Sequence, residues 1–408
     1  MPQLIFSSPF TAFGLLKGNT ISMRRISPLL LLVALLSFSC RSTLNKIFDS
    51  NKTPHEKYAD RLEDKKLADT PEGRAWLAAS QQALLNPQTI ELPYRQNGFF
   101  QPDKPRSLGL KFHAKGGEQL TFTFKKSAPG FVIYSDLFTA NSIAAPAIFS
   151  ADTNATQFSV AIDQTGDYIL RLQPELFRSG EYSLSISVGP SLGFPVSYTK
   201  ANIGSFWGAD RDGGKRSHEG IDIFAPKLTP AIAAADGYIT GVREGGLGGK
   251  VVWLRPEGKN YTLYYAHLDR QLVKEGQLVK KGETVGLVGN TGNAKYTASH
   301  LHFGVYTFSG AIDPLPFVNK TVRNAADLPS KNLSVSLKLI KAKKVDDSLI
   351  KANTVLVPLA VSSKEYIAEL PNGKLIQIPL SDVKTIKREA KSIELATKST
   401  VAKKLSGY

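Results

Sequence analysis

Ser217-His218-Glu219-Gly220-Ile221-Asp222-Ile223 (217–223) sets a histidine and a carboxylate four residues apart in a run of glycine and β-branched residues. Side chains alternate along an extended strand, so a strand here would carry His218 and Asp222 on one face and Glu219 on the other. Further on, Ser299-His300-Leu301-His302-Phe303 repeats the geometry two residues apart, with Leu301 and Phe303 turned toward a core. The chain has six histidines, and four of them (His218, His267, His300 and His302) fall inside this one region. The only cysteine is Cys40. An intramolecular disulfide and any thiolate-rich zinc or iron–sulfur site are therefore excluded. Imidazole and carboxylate without thiolate suit zinc (Zn2+) held by three protein ligands with a fourth tetrahedral position open to water, a catalytic rather than a structural arrangement.

Outward from these two stretches, about Ile203 to Val318 reads as short strands: Ala231 to Val242, Val251 to Leu254, Tyr261 to Ala266, Thr284 to Val288 and His300 to Tyr306. Between them lie Tyr264-Tyr265-Ala266-His267-Leu268 and Gly286-Leu287-Val288-Gly289-Asn290-Thr291-Gly292. Together with His-x-x-x-Asp and His-x-His, this resembles the zinc endopeptidases of the lysostaphin and LytM type (M23 peptidases), which cut peptide cross-links of bacterial peptidoglycan. The resemblance covers residues 203–318 and implies a duplicated β-sheet hybrid motif. It also implies zinc ligands at His218, Asp222 and His302, and two further catalytic histidines at His267 and His300. There is no His-Glu-x-x-His helix, so His267 or His300 must serve as the base, and the residues do not choose between them. Two positions depart from the family pattern: Gly304 stands where the family usually has Glu, and Gly248-Gly249-Lys250 replaces a more usual Gly-Asn turn.

The 408 residues leave room for two or three domains at roughly 150 residues each. With 42% hydrophobic and 21% charged residues, the composition is that of a folded protein, not of a disordered, collagenous or multi-span membrane chain. The expected architecture is mostly β and multidomain. Residues 40–97 read as a helical spacer, with Thr70-Pro71-Glu72 as a capped start and Asn86-Pro87 as a stop. Residues 98–190 switch to a period of two (Leu120, Phe122, Phe124; Tyr182, Leu184, Ile186, Val188) and read as a jelly-roll-like β-sandwich. Pro190 to Pro195 reads as a linker. Residues 333–386 read as an SH3-like barrel with its hairpin turned at Asn372-Gly373, and 387–408 as a basic tail.

Met23-Arg24-Arg25 precedes an apolar run from Leu29 to Phe38, the length of an export signal and short of the roughly 20 residues that span a bilayer. Residues 1–39 are read as that signal, with Met23 as an alternative start. Ser37-Phe38-Ser39-Cys40 resembles a lipoprotein signal, which implies lipidation of Cys40 and a membrane anchor facing the periplasm or cell surface. Lys and Arg exceed Asp and Glu by 51 to 35, a net +16, and residues 321–408 supply 16 of the former against 8 of the latter. This charge suits an anionic wall polymer. The basic residues form no dense run interleaved with aromatics, which argues against nucleic acid. Two other functions compete. A non-enzymatic LytM-like regulator of another wall hydrolase is disfavoured by the intact ligand set. A biotinyl- or lipoyl-type carrier, echoed by Ala235-Asp236-Gly237, lacks the displayed lysine.

Overall fold

Thr53 opens the fold of the computed structural model, which describes residues 52–127, 130–328, 331–345 and 348–388. Its hydroxyl accepts the Glu56 N–H (3.1 Å) and the Glu56 carboxylate accepts the Thr53 N–H (2.7 Å), a capping box that starts helix α1 (Pro54–Asp64). Thr70 caps α2 (Pro71–Leu85) through one such bond, its hydroxyl accepting the Gly73 N–H at 3.0 Å. Both helices have proline in the first turn, where no N–H is needed.

The sandwich is built from β1 (Tyr94–Phe100), β2 (Leu108–Ala114), β3 (Glu118–Lys126), β4 (Ile133–Thr139), β5 (Gly166–Pro174) and β6 (Gly180–Pro190). β5 lies between β2 and β4 in one sheet, and β6 between β1 and β3 in the other. The alternating residues named above, with Leu108, Leu110, Leu170 and Leu172, meet in one apolar cluster between the two sheets. β5 is buried on both faces, because α1 and α2 cover its outer side. There Trp76 donates its indole N–H to the Pro174 carbonyl (2.8 Å) and packs with Tyr58, Leu62 and Tyr134. Replacing so buried an aromatic by alanine costs about 3–5 kcal/mol. The described part of the expected spacer is therefore a layer of the sandwich, and Tyr94, inside its expected limits, already begins a strand.

The next unit is a sheet in the order β7 (Asn202–Ser205), β10 (Ile221–Phe224), β15 (His300–Thr307), β13 (Thr262–Gln271), β12 (Gly249–Pro256) and β11 (Gly237–Gly245). A small ribbon of β8 (Asp210–Arg211) and β9 (Arg216–Ser217) stands beside β7, and β14 (Thr284–Val288) pairs with the far end of β13. One face of the sheet is core: Ile221, Ile223, Leu263, Tyr265, Leu301, Phe303 and Val305 are all fully buried. The other face carries the polar residues of the same strands. The expected linker is part of this assembly, since Leu192 N–H bonds to the Phe317 carbonyl (2.8 Å) and Gly193 N–H to that of Ala234 (2.7 Å).

The C-terminal strands β16 (Ser336–Leu339), β17 (Val355–Val361), β18 (Glu365–Glu369), β19 (Leu375–Pro379) and β20 (Val383–Ile386) enclose a small apolar cluster of their own. Their order is β20-β16-β17-β18-β19, and β20 and β19 are not paired with each other among the described residues, so the expected SH3-like unit is an open one. In addition β17 pairs with β1 of the sandwich (Asn97 with Val361, Gly98 with Ala360), so the two expected domains share a continuous sheet. Ala360 and Ile367 belong to the sandwich core. Arg106 and Glu369, both buried, form an ion pair at 2.9 Å across the same junction. The expected signal segment, Cys40 and nearly all of the basic tail lie outside the described residues.

Candidate metal centre

Asp222 and His302 are direct partners across β10 and β15, and Phe224 opposes His300. Alternation along β15 puts His300 and His302 on the polar face while Leu301 and Phe303 enter the core. His218 does not share a strand with Asp222, as the spacing led one to expect. It follows β9 in a loop, tied by its N–H to the Ala209 carbonyl (2.8 Å), and reaches Asp222 from the side.

The three residues nevertheless converge. His218 Nε2, His302 Nδ1 and Asp222 Oδ1 form a triangle with all three sides 3.0 Å. A tetrahedral zinc site with bonds of about 2.0–2.1 Å separates neighbouring ligand atoms by about 3.3 Å. The donor chemistry fits a cation as well. His218 Nδ1 lies 2.8 Å from the Phe206 carbonyl, which can only accept, so a neutral ring carries its proton on Nδ1 and leaves Nε2 a lone pair for a cation shared with the Asp222 oxygen. Without a cation, a proton on Nε2 makes that 3.0 Å contact a hydrogen bond. Among the described residues, this is the group of three or more histidines and acidic residues close enough to hold an ion. Burial would raise the Asp222 carboxyl, but the hydrogen bonds and charges of His218 and His302 outweigh it and hold the group well below the usual carboxylate range.

His267 and His300 flank the triangle. Their ring centroids are 5.1 Å apart, and His267 stands 5.8 Å from the His302 ring. Each has Nδ1 bound to a backbone carbonyl, His267 to Thr291 (2.9 Å) and His300 to Ala298 (2.8 Å). Both rings therefore keep the proton on Nδ1 and offer a bare Nε2, and His300 Nε2 lies 3.9 Å from Asp222 Oδ1. Burial, and then the neighbouring charges of His300 and His302, push the His267 pKa down to about 4. Burial also lowers His302, against the opposing pull of Asp222.

His267 has φ +60°, a left-handed conformation that costs a side-chain-bearing residue on the order of 1 kcal/mol. It occupies the point where β13 leaves β15 and turns to β14, and its N–H is held by the Gly248 carbonyl at 2.8 Å. The glycine loops expected beside the site meet there. A Cβ on Gly249 would lie 2.4 Å from the Gly292 nitrogen, and one on Gly292 would lie 2.3 Å from the Leu247 carbonyl oxygen. Glycine at these two places lets the loops touch and fixes Thr291, the partner of His267.

Two features escaped the sequence reading. Trp253, Tyr264 and Tyr306 form an aromatic wall, with Trp253 and Tyr264 centroids 4.3 Å apart and Tyr264 5.9 Å from His302. The departure at Gly304 belongs to this wall: a Cβ there would come within 2.7 Å of the Tyr306 ring. The other is Arg211, whose Nη2 donates to Asp222 Oδ2 at 2.9 Å. The turn signal Asp212-Gly213-Gly214 gives away the ribbon but not where its arginine lands.

The sequence profile of peptidase family M23 matches residues 216–314, which contain all five histidine and aspartate positions of the centre. Peptidoglycan DD-endopeptidase ShyC of Vibrio cholerae is 40% identical over 88 residues, 22% of this chain and 20% of that protein. The L-Ala–D-Glu endopeptidase of Bacillus subtilis is 35% identical over 136 residues, 30% of this chain and 41% of that one. A metalloprotease of Haemophilus influenzae is 44% identical over 101 residues, 24% of this chain and 21% of its own length. The chain thus spans between 20% and 41% of these relatives. Among solved structures, the catalytic domain of lysostaphin from Staphylococcus simulans is 34% identical, covering 29% of this chain and 91% of that one at a TM-score of 0.27. Residues 216–314 are a peptidase family M23 domain, carried here beside a β-sandwich.

Proposed function

We propose that the protein is an exported zinc metalloendopeptidase that hydrolyses peptide cross-links of bacterial peptidoglycan. The observation that carries this reading is the 3.0 Å triangle of His218, Asp222 and His302 with two carbonyl-pinned histidines beside it. The names of the relatives supply the substrate class, and they differ in the bond named.

His218, His302 and Asp222 would hold the zinc, through the three atoms that converge. When bound, the ion supplies Lewis acidity, polarising a carbonyl and lowering the pKa of water from 15.7 toward about 7. The chain's own residues do the rest. His267 and His300, each with a bare Nε2, take a proton from the attacking water and return one to the leaving amine. Backbone carbonyls fix both tautomers before substrate arrives, so no ring reorientation is needed during the reaction. The aromatic wall gives an extended peptide an apolar surface beside His302.

The signal-like N-terminus and Cys40 support placement outside the cytoplasm on a lipid anchor. Among the described residues no helix is long and apolar enough to cross a membrane. Digestion of purified sacculi by residues 41–408, with mass spectrometry of the released peptides, tests the activity. Muropeptides cut within a stem or cross-bridge are the expected product. Intact sacculi with metal-loaded protein would overturn the hydrolase reading in favour of a regulator.

A further inference from the structure

Arg211 lies outside the segment that matches the peptidase family, yet it touches the metal centre. The two oxygens of Asp222 have different partners. Oδ1 faces His218 Nε2 and His302 Nδ1, and Oδ2 accepts from Arg211 Nη2 at 2.9 Å. The same nitrogen donates to Ser205 Oγ at 2.7 Å, and the Arg211 Nη1 lies 3.4 Å from the Asp210 carbonyl. The guanidinium is thus held by contacts besides the one to Asp222. It is carried by a ribbon in which Arg211 pairs with Arg216 and Asp210 with Ser217, and the residue after Ser217 is His218. One ribbon therefore positions both a metal ligand and the cation behind another ligand.

We infer that Arg211 is a positioning residue that keeps Asp222 a one-oxygen ligand and so keeps the fourth coordination position open to water. This rests on the metalloendopeptidase reading. A carboxylate binds a divalent cation through one oxygen or through both. A charge-assisted bond from a fixed guanidinium occupies Oδ2 and orients the carboxylate so that Oδ1 alone points into the triangle. The bond also draws electron density from the ligand, which leaves a bound cation more acidic. Without Arg211, Oδ2 is free to swing in as an extra ligand. Holding the metal is then no harder, but the position that water needs is compromised.

The test uses cobalt(II) alone as the probe, added to chelator-stripped full-length protein. Four-coordinate cobalt absorbs visible light more strongly than five- or six-coordinate cobalt. Arg211→Met should bind one cobalt with a dissociation constant within about tenfold of wild type, but with a weaker visible band. With zinc restored, its kcat on sacculi should fall about 10- to 100-fold with KM little changed. Arg211→Lys, which keeps a cation beside Oδ2, should recover most of the band. A band and kcat equal to wild type in Arg211→Met would overturn the inference. So would a loss of cobalt binding as deep as that of His302→Ala, which a merely structural role predicts. If Arg211→Met does not fold, Ser205→Ala decides, because it removes one of the two anchors: a partly weakened band supports the inference, and an unchanged one overturns it. Wild-type protein that takes up cobalt normally yet leaves sacculi intact would refute the hydrolase reading, while the cobalt band still reports on Arg211.

Discussion

The rings of His267 and His300 lie 5.1 Å apart although they come from different strands, and each is turned by a backbone carbonyl so that Nε2 is bare. Proton-transfer groups and metal ligands are thereby separable. His267→Ala and His300→Ala should keep about one zinc per chain and lose about 10²- to 10⁴-fold in kcat. His302→Ala should lose most of the metal. Elemental analysis beside sacculus digestion reads both, and a wild-type rate in either of the first two variants refutes its role.

His55 offers a pH signature far from the metal centre. It stacks on Trp76 at 4.6 Å and its Nε2 donates to Gln173 Oε1 at 2.7 Å. Burial first, and then the charge of Arg171, push its pKa from 6.5 down to about 4, against the opposing pull of Asp136. The unfolded chain takes up a proton below the ordinary value that the folded protein refuses. Stability is therefore full above about pH 6.5 and is lost as pH falls toward about 4, by on the order of 2 kcal/mol between about pH 7 and about pH 5. Urea midpoints across this range should show the loss, and His55→Gln should flatten it. An equally steep profile in that variant would place the titration elsewhere.

The pairing of β17 with β1 changes what a C-terminal truncation can mean. Deleting 321–408 strips Ala360 and Ile367 from the sandwich core, leaves β1 paired on one edge only, and leaves Arg106 without Glu369. Arg106 keeps Asp103 but loses its buried partner, and the exposed apolar core adds to that loss. The truncated chain should unfold at a markedly lower temperature or fail to fold at all, so weak sacculus binding by it would not locate a wall-binding surface. Reversing exposed charges such as Lys341 and Lys351 in the intact chain is the cleaner probe. It should weaken sacculus binding most at low salt.

Cys40 lies outside the described residues, and its role rests on its place at the end of the apolar export run. Cys40→Ser should move the protein from the membrane pellet to the soluble extracytoplasmic fraction. Retention in the pellet would refute the anchor.

What was legible followed local rules. His300 and His302 share a face because strand side chains alternate, and Thr70 caps a helix because its hydroxyl reaches the N–H three residues on. The association of His218 with Asp222 was legible only as a spacing. The contact is made by a loop entering from β9, not by a shared strand. The shared sheet was not legible at all. Alternation marks β1 and β17 as strands, but which edges pair depends on shape and burial across more than 250 residues of intervening chain. Arg211 was hidden for the same reason, since its turn is local and its target on β10 is not.

Gly304 and Tyr306 carry the last prediction, because here a departure from the family pattern has a visible partner. Gly304 opposes Tyr264 across β15 and β13, and the Tyr306 ring lies over it, packed edge-on against Trp253 and Tyr264, with its hydroxyl donating to Glu219 at 3.2 Å. A methyl group at 304 would meet that ring at 2.7 Å and also lie 3.3 Å from the Glu219 carbonyl. Gly304→Ala should therefore cost about 1–3 kcal/mol as an overpacked contact and swing Tyr306 out of the wall. If the wall seats the peptide, KM on sacculi should rise more than kcat falls. Tyr306→Leu removes the obstructing ring edge, so the double variant should lose less stability than the two single losses added. The coupling should be between about 0.5 and 3 kcal/mol for residues in contact. Strictly additive losses would show that Gly304 is not there to admit Tyr306, and an unchanged KM in Gly304→Ala would remove the wall from the substrate path.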